Sequence, residues 1–472
     1  MDLTLAHWLY GIFTIVIIVT MIFRKGVVLP TILGTFIIAW VFTGDIIGGF
    51  KAIFQANLVA AQELFNIFLI IMFMLALLNS LRDLGADKRM IQPIQKLMVN
   101  GHVSFFVLAV VTYVISLFFW PTPAVPLICA LLVPAAVRAG LPAIIAAVSI
   151  AIAGQGMALS SDYIVQVAPS LSAASGGLDT SIVADKALIL SLISGVLALG
   201  LAYLFYRKQI RSKDNENIQN ELRNLQTSDE TKNVAKTVNL KLWSKVFAIF
   251  VPIALLLVLI VMLVNKLSSG NGGLVGGDGA AFVGGVAAIL LLMSTLAFGK
   301  SEALNYISNH ITDGFVFAFK AMGPVIPIAG FFFLGSGDFS GAILGVENGP
   351  SLLFGLVEAT QEFLPQSAFF AGFSILIIGI ITGLDGSGFS GLPLTGALAA
   401  SLENGSIDAT TLAAIGQMGA IWTGGGTIIA WSSLIAIAGL CGVSVMDLVR
   451  KNFLPVIIGL IVSTAIAVFL LG

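Results

Sequence analysis

Two stretches of this chain resemble one another when one is shifted by 262 residues, without a gap: 121–162 and 383–424. The first begins with the prolines between Pro121 and Pro126 and leads to Gly154-Gln155-Gly156. The second begins with a glycine-rich segment and leads to Gly416-Gln417. Each places helix-breaking and small polar residues inside apolar sequence. Such paired interruptions in two halves of a chain are typical of the binding site of a secondary transporter.

The composition places the chain in a lipid bilayer. Of 472 residues, 58% are hydrophobic and 10% are charged, and the mean hydropathy is +1.03. Soluble domains carry roughly 25% charged residues. The apolar runs do not alternate and have the length of membrane helices, about 20 residues. The sequence therefore predicts an all-α integral membrane protein.

The remaining composition points to few partners. The net charge of −1 gives no reason to expect nucleic acid. Cys129 and Cys441 do not correspond under the shift, so neither a disulfide nor a metal site is expected. The N-terminus lacks a basic segment, and Arg24 and Lys25 follow the first apolar run, which predicts a retained helix and not a cleaved signal peptide.

About ten spanning helices are expected, in two sets of five. They lie near 7–23, 27–44, 62–81, 142–168 and 186–206, and near 243–265, 277–298, 315–335, 408–440 and 452–471. Two further apolar stretches, 103–138 and 368–402, are broken in the middle by the motifs above. We interpret them as re-entrant hairpins. Residues 88–99 and 351–366 look amphipathic and are expected to lie along the interface.

Positive charge predicts the orientation. With the N-terminus outside, the outer loops hold only Lys51, Lys186 and Lys266, whereas the inner loops and the linker 207–242 hold most of the other basic residues. Each half, 1–206 and 243–472, then has five crossings and one hairpin, so the second half is inverted. Both termini lie outside, the linker is cytoplasmic, and the hairpin tips meet near the midplane. A multi-pass protein of the cell membrane is expected.

Two carboxylates at membrane depth are candidate cation ligands. A buried charge in a bilayer usually faces a cavity or a partner. The predicted cation-coupling set combines carboxylates with flexible backbone: Asp162, Asp385, Gly386, Gly424 and Gly425. Alternatively, Asp385 caps the half-helix that follows it.

Candidate substrate contacts are small polar residues and helix starts at the same four interruptions. They are Thr122, Pro123, Gln155, Ser160, Ser161, Ser387, Gly388, Gln417, Thr423 and Thr427. For the glutamines, hydrogen bonds between helices are the alternative role. For the first tip, the alternative is a continuous helix kinked by proline. Lys320 either reaches the interface or is a buried countercharge.

Two other classes of membrane protein, an intramembrane protease and a channel, are alternatives to a transporter. Gly388-Phe389-Ser390-Gly391 matches the Gly-x-Ser-Gly pattern of rhomboid-type serine proteases, which need a base such as His near the serine. His7, His102 and His310 all lie near helix ends and none follows Ser390, so an enzyme is not expected. A channel is not excluded, but duplicated, inverted, broken helices suit alternating access better.

With these motifs the chain resembles the ion transporter superfamily of secondary transporters, which includes symporters of organic anions and some sodium/proton antiporters. The two tips, Pro121 to Pro126 and Asp385 to Pro393, and the two broken helices carry the resemblance. The Ser-Asn-Thr tip signature of the divalent-anion branch is absent. The resemblance implies an elevator-type mechanism, a homodimer, and coupling to Na⁺ or H⁺ with no other cofactor.

The sequence thus predicts a Na⁺- or H⁺-coupled symporter of a small organic anion, with a carboxylate as the favoured class. The alternative is a Na⁺/H⁺ antiporter, in which Asp162 and Asp385 take up the ion alternately.

Overall fold

The computed structural model describes residues 3–23, 25–210, 241–268, 277–360, 367–384, 388–389, 391–403, 407–429 and 432–470. Helix makes up 86% of the structure, and the described ranges contain no β-strand. The predicted all-α class is therefore confirmed.

The helices before the central linker extend from Leu5 to Tyr206. They are α1 (Leu5–Ile22), α2 (Val28–Thr43), α3 (Ile46–Leu84), α4 (Ala86–Ile91) with a 3-10 segment (Gln92–Leu97), α5 (Gly101–Phe119), α6 (Pro121–Arg138), α7 (Ala143–Ser161), α8 (Val167–Gly176) and α9 (Thr180–Tyr206). Most of the linker, 211–240, lies outside the described residues.

The helices after the linker follow a related order. They are α10 (Lys241–Ser268), α11 (Gly277–Gly299), α12 (Ala303–Met322), α13 (Val325–Leu334), α14 (Gly337–Leu344), α15 (Leu352–Thr360), α16 (Ala368–Gly383), α17 (Leu392–Ser401), α18 (Ala409–Gly424), α19 (Ser432–Leu440) and α20 (Val445–Leu470). The run α16 to α20 repeats the order of α5 to α9. The inverted relation of the two halves stays a prediction.

Side-chain caps fix where several helices begin. Asp45 accepts a hydrogen bond from Ile47 N at 3.1 Å, and Asn100 accepts one from Val103 N at 2.8 Å. Asp179 accepts one in the same way from Ser181 N at 2.8 Å. Each cap satisfies a backbone N–H that has no partner within the helix.

Length and apolarity mark several helices as membrane spans. Within the described ranges, five helices are long and apolar enough: 101–119, 143–161, 180–209, 281–320 and 445–470, with a bent pair, 68–84 and 86–97, as a sixth. Other apolar helices are shorter. The predicted number of ten crossings is therefore not established by length alone.

Two predicted span boundaries are wrong. Helix α3 has 39 residues and begins at Ile46, so the loop expected before residue 62 does not exist and Lys51 lies on the helix. At 1.5 Å per residue it is about 58 Å long, which exceeds a hydrocarbon core of about 30 Å. The span expected at 315–335 is divided at Gly323 and Pro324 into α12 and α13, because proline disfavours helix in the residue before it.

Helix α4 and the 3-10 segment form the first amphipathic stretch. The helix 68–84 and the following 86–97 are bent by 86° at Gly85, whose φ is +69°. Glycine adopts this conformation without steric cost. Gln95 Nε2 donates to the carbonyl of Leu131 at 2.7 Å, so this stretch is tied to α6.

Helices α5 and α6 form the first hairpin and not one kinked helix. The chain reverses at Trp120, which has φ +59° and ψ 137°. A Cβ at Gly101, where α5 begins, would lie 2.9 Å from the carbonyl carbon of Gly140, just after α6 ends. The two ends of the hairpin are therefore neighbours, so the chain leaves near where it entered.

Helix α7 is interrupted later than its glycines suggest. The segment Ala151–Ala158, which contains Gly154 and Gly156, is a π-helix and not a break. The break comes at Asp162, whose φ is +38°, and α8 begins at Val167. A π-helical turn accommodates the glycines because it widens the helix without ending it.

Helix α18 is interrupted where its three glycines predict. It ends at Gly424, Gly426 has φ +100°, and α19 begins at Ser432. The preceding helix α16 packs closely against α18 at glycines of both helices: a Cβ at Gly379 would lie 2.5 Å from the carbonyl oxygen of Gly416. Such close approach of helix backbones is typical of membrane packing.

Residues assigned to the same membrane side lie together. At the predicted inner side, Tyr206 OH donates to the carbonyl of Lys451 at 3.0 Å. At the predicted outer side, Lys186 Nζ lies 2.6 Å from Asp408 Oδ2. The orientation of the termini stays a prediction.

Candidate functional site

The tips of the two hairpins meet through an aromatic pair. The ring centroids of Trp120, at the first tip, and Phe389, at the second, are 5.3 Å apart with an interplanar angle of 40°. Thr122 and Pro123 lie in the first turn of α6, but their side chains are outside the described residues. Asp385, Gly386, Ser387 and Ser390 also lie outside them.

The second tip touches the break in α18. Gly388 has φ +74°, and a Cβ there would lie 2.9 Å from the backbone nitrogen of Gly425. A Cβ at Gly424 would lie 2.8 Å from the carbonyl oxygen of Gly383, where α16 ends. These glycines are required because backbone meets backbone with no room for a side chain.

The π-helical part of α7 completes the arrangement. A Cβ at Gly425 would lie 2.8 Å from the carbonyl oxygen of Gln155. On the neighbouring face, a Cβ at Gly154 would lie 2.9 Å from Thr112 Cγ2 and 3.8 Å from Cβ of Pro121. Both tips and both interrupted helices therefore converge on one region, which is buried: every residue of the π-helical segment is buried.

Gln417 joins the two interrupted helices across the halves. Its Nε2 donates to the carbonyl of Ser160 at 2.8 Å, while its Oε1 is buried and has no hydrogen-bond partner among the described residues. The Oε1 of Gln155 is likewise buried and has none. One end of Gln417 thus has a structural role, and both amide oxygens can still accept from, or coordinate, a ligand.

The two predicted serines are engaged within the protein. Ser160 Oγ lies 3.1 Å from Ser191 Oγ, to which it donates, and Ser161 Oγ donates to the carbonyl of Ala158 at 3.0 Å. Their roles as substrate contacts stay predictions, and a substrate would have to replace these hydrogen bonds.

Asp162 caps the second part of its broken helix. Its Oδ2 accepts a hydrogen bond from Ala168 N at 2.7 Å, and its backbone carbonyl accepts one from Gln166 N at 2.9 Å. The side chain is 7% exposed. A carboxylate at a helix start is stabilised by the unpaired N–H groups and the helix dipole. The charge of Asp162 therefore has partners without a bound cation, and its coupling role stays a prediction.

The two threonines after Gln417 differ. Thr423 Oγ1 is buried, and no described residue forms a hydrogen bond with it. Thr427 Oγ1 donates to the carbonyl of Trp422, and its own carbonyl accepts from Asn452 Nδ2 at 2.9 Å. Only Thr423 is therefore left with an uncommitted hydroxyl.

Several residues of this region escape sequence reasoning. Trp422 is fully buried, and its indole N–H has no hydrogen-bond partner within the described part of the chain. A Cβ at Gly156 would lie 2.6 Å from its Cε3. The sequence could have indicated Asn452, because an amide side chain within the apolar run 445–470 needs a hydrogen-bond partner when it is buried. Nothing in the sequence pattern singles out Thr112 or Ser116, whose buried hydroxyls also lack partners.

Lys320, the histidines and the cysteines have other surroundings. Lys320 is exposed in the last turn of α12. The histidines have other neighbours: His102 Nδ1 lies 3.1 Å from Tyr203 OH, and His310 Nε2 lies 3.3 Å from Asp83 Oδ2. The sulfurs of Cys129 and Cys441 are 4.0 Å apart and buried, a proximity that the sequence did not predict.

Some known proteins are similar to this chain. No protein-family model matches it. The crystal structure of the YdaH transporter from Alcanivorax borkumensis is similar with a TM-score of 0.49 and 12% identity, over 90% of this chain and 89% of that one. Membership of the ion transporter superfamily stays a prediction.

The sequence is also 34% identical over 470 residues to a protein of Bacillus subtilis (strain 168) described as "Uncharacterized membrane protein YhfA". The match covers 98% of both chains. The chain is a multi-pass membrane protein and belongs to the same family as Bacillus subtilis YhfA.

Proposed function

We propose that this membrane protein is a secondary active transporter that couples Na⁺ or H⁺ to the uptake of a small organic anion, a carboxylate. One observation carries the proposal: the tips of both hairpins and the interruptions of both broken helices meet in one buried region. The Trp120–Phe389 pair and the Gly388–Gly425 contact join them. Irregular backbone at membrane depth is tolerated where it is buried or lines a cavity, and transporters bind substrate at such places.

The N-terminal ends of α6 and α17, the second helix of each hairpin, supply groups for an anion. The first residues of α6 and α17 follow Trp120 and Gly391, and neither makes a side-chain cap. Prolines in both starts have no N–H, and the N–H groups of Ala124, Leu392 and Thr395 donate to nearby carbonyls, which leaves the N–H of Thr122 in α6 and that of Leu394 in α17. Each of these groups, with the positive end of its helix dipole, is suited to one carboxylate oxygen. The start of α8 differs because the Asp162 carboxylate already occupies it. The hairpins are therefore better anion sites than α8.

Oxygen atoms nearby supply groups for a cation. The uncommitted amide oxygens of Gln155 and Gln417 are buried. In the proposed cation site, the Asp162 carboxylate is a further ligand. The remaining proposed ligands are Asp385, Gly386, Gly424 and Gly425. Sodium is a hard cation, so it suits carbonyl and carboxylate oxygens.

The proposal also includes a mechanism, an oligomeric state and an orientation in the membrane. Alternating access would be elevator-like, with both hairpins and both broken helices moving as one body. The protein would be a homodimer in the cell membrane, with both termini outside. Cysteine accessibility from each side of the membrane tests the orientation.

Uptake into proteoliposomes tests the function. Purified protein is first screened by thermal shift against carboxylates, with and without Na⁺, because a ligand of the folded state raises the melting temperature. Radiolabelled hits are then offered under an imposed Na⁺ or H⁺ gradient. We expect saturable, gradient-dependent uptake that Asp385→Ala abolishes while the protein remains folded. Proton movement driven by Na⁺ with no organic solute would instead identify the Na⁺/H⁺ antiporter.

A further inference from the structure

The only two cysteines of the chain meet across its two halves. The sulfurs of Cys129, in α6, and Cys441, directly after α19, are 4.0 Å apart. Both side chains are buried, at 1% exposure each. The residues are 312 positions apart, and the shift that relates the two halves does not relate them. Their contact therefore results from the packing of α6 against α19 and not from the repeat.

Helices α6 and α19 both lead from the candidate site to this sulfur contact. Helix α6 begins at Pro121, so Cys129 lies about 12 Å along it at about 1.5 Å per residue. The first turn of α19 adjoins the break after α18, since a Cβ at Gly426 would lie 3.1 Å from Cβ of Ser433. Cys441 lies about 13 Å beyond the start of α19. The sulfurs therefore meet at a similar distance from the site along both helices.

The candidate site is closed between these two helices. Neighbouring residues of the π-helical segment contact both of their starting regions. A Cβ at Gly154 would lie 3.8 Å from Cβ of Pro121, and a Cβ at Gly425 would lie 2.8 Å from the carbonyl oxygen of Gln155. A methyl group does not fit at the second contact, so a carboxylate enters there only if the start of α6 and the break after α18 separate.

We propose that Cys129 and Cys441 form a reversible disulfide, a modification site that holds the candidate site closed. The effect on uptake rests on the proposed transport function, whereas the formation of the bond does not. The sulfur atoms of a disulfide are about 2.0 Å apart, so the two sulfurs must approach by about 2 Å. The bond would link α6 to α19 covalently. The linked helices could still move with the rest of the elevator body, but they could no longer separate.

The oxidant is a small two-electron acceptor of the diazene dicarboxamide class, such as diamide. It can approach beside Cys441, because Gly442 and Ser444 are exposed. The Cys441 sulfur adds to one nitrogen of the N=N bond, and the other nitrogen takes up the thiol proton. The Cys129 sulfur then attacks the Cys441 sulfur, the S–N bond breaks, and the second thiol proton completes a hydrazine. Two thiols are thus oxidised to one disulfide while the diazene is reduced by two electrons, and dithiothreitol reverses the bond by exchange.

Diamide treatment of the purified, reconstituted protein tests the bond and its effect. We expect both free thiols to be lost, and mass spectrometry without reductant to find a peptide that links Cys129 to Cys441. Amide hydrogen exchange at 121–126 and 424–429 should slow, because the site opens less often. Gradient-driven uptake of radiolabelled acetate and succinate should be lost. Dithiothreitol should restore both exchange and uptake.

Cys129→Ala and Cys441→Ala are the matched controls, because each leaves one thiol without a partner. Diamide should leave their hydrogen exchange and uptake unchanged, and the corresponding serine variants serve if an alanine variant misfolds. Absence of the linking peptide overturns the proposal, as does a linked protein with unchanged exchange at both segments. Absence of uptake by the reduced protein would count against the symporter, whereas the linking peptide and the hydrogen exchange would still decide whether the disulfide holds the site closed.

Discussion

Replacement of Asp162 separates a coupling role from a capping role. The residue has φ +38°, and its carboxylate accepts a hydrogen bond from Ala168 N in the first turn of α8. Asp162→Ala removes the cap, at about 0.5–2 kcal/mol, and places alanine in a left-handed conformation, at about 1–2 kcal/mol. We therefore expect a loss of about 1.5–4 kcal/mol in the free energy of unfolding.

Asp162→Asn is the informative partner of that variant. Asparagine tolerates the left-handed conformation and can still accept the hydrogen bond from Ala168 N, so its loss of stability should stay within about 1 kcal/mol. The negative charge, however, is gone. If Asp162 couples a cation, the asparagine variant should fold normally and lose the dependence of uptake on the Na⁺ or H⁺ gradient.

Two assays are needed together. Unfolding by sodium dodecyl sulfate, followed by circular dichroism in detergent, gives the order wild type, asparagine, alanine. Uptake in proteoliposomes over a range of Na⁺ concentrations and pH values gives the coupling. An asparagine variant with wild-type cation dependence would refute the coupling role and leave Asp162 as a helix cap alone.

The remaining predictions concern packing and polar contacts. Gly379→Ala should cost about 1–3 kcal/mol in the unfolding assay because its Cβ would lie 2.5 Å from the Gly416 carbonyl oxygen, whereas Gly200→Ala, with nothing within 4 Å, should cost nothing. For Lys186 and Asp408, a double-mutant cycle with Lys186→Met and Asp408→Asn should give about 0.5–1 kcal/mol at neutral pH. Partial burial would raise the pKa of Asp408, but hydrogen bonds from Lys186 and two threonines outweigh it and hold the pKa below its usual value. The coupling energy between Lys186 and Asp408 should therefore be complete above the ordinary pKa of aspartate, and it should be lost as the pH falls through the lowered pKa of Asp408. A coupling energy that stays the same in strong acid would contradict this. Gln417→Leu should lower stability by about 1–3 kcal/mol and reduce uptake, because the Ser160 carbonyl loses its donor.

Local sequence was sufficient for the interruptions that glycine and proline impose. The first hairpin turns at Trp120-Pro121, and α18 ends within Gly424–Gly426, as the motifs predict. Local sequence was insufficient where the same residues are compatible with more than one backbone conformation. The Gly154–Gly156 segment forms a π-helix instead of a break, because packing against Trp422 and α5 stabilises the wider turn.

The sequence alone determined the solvent, the helical class and the positions of most interruptions, since apolarity and helix-breaking residues act within a few neighbouring positions. Only the tertiary structure decided which interruptions touch and which polar atoms are left uncommitted. Asp162 shows the difference: its residue type indicates a buried charge, but the hydrogen bond from Ala168 depends on how the chain turns after α7. The contact of Trp120 with Phe389 likewise joins segments that no local pattern relates, because it arises when separate hairpins pack together.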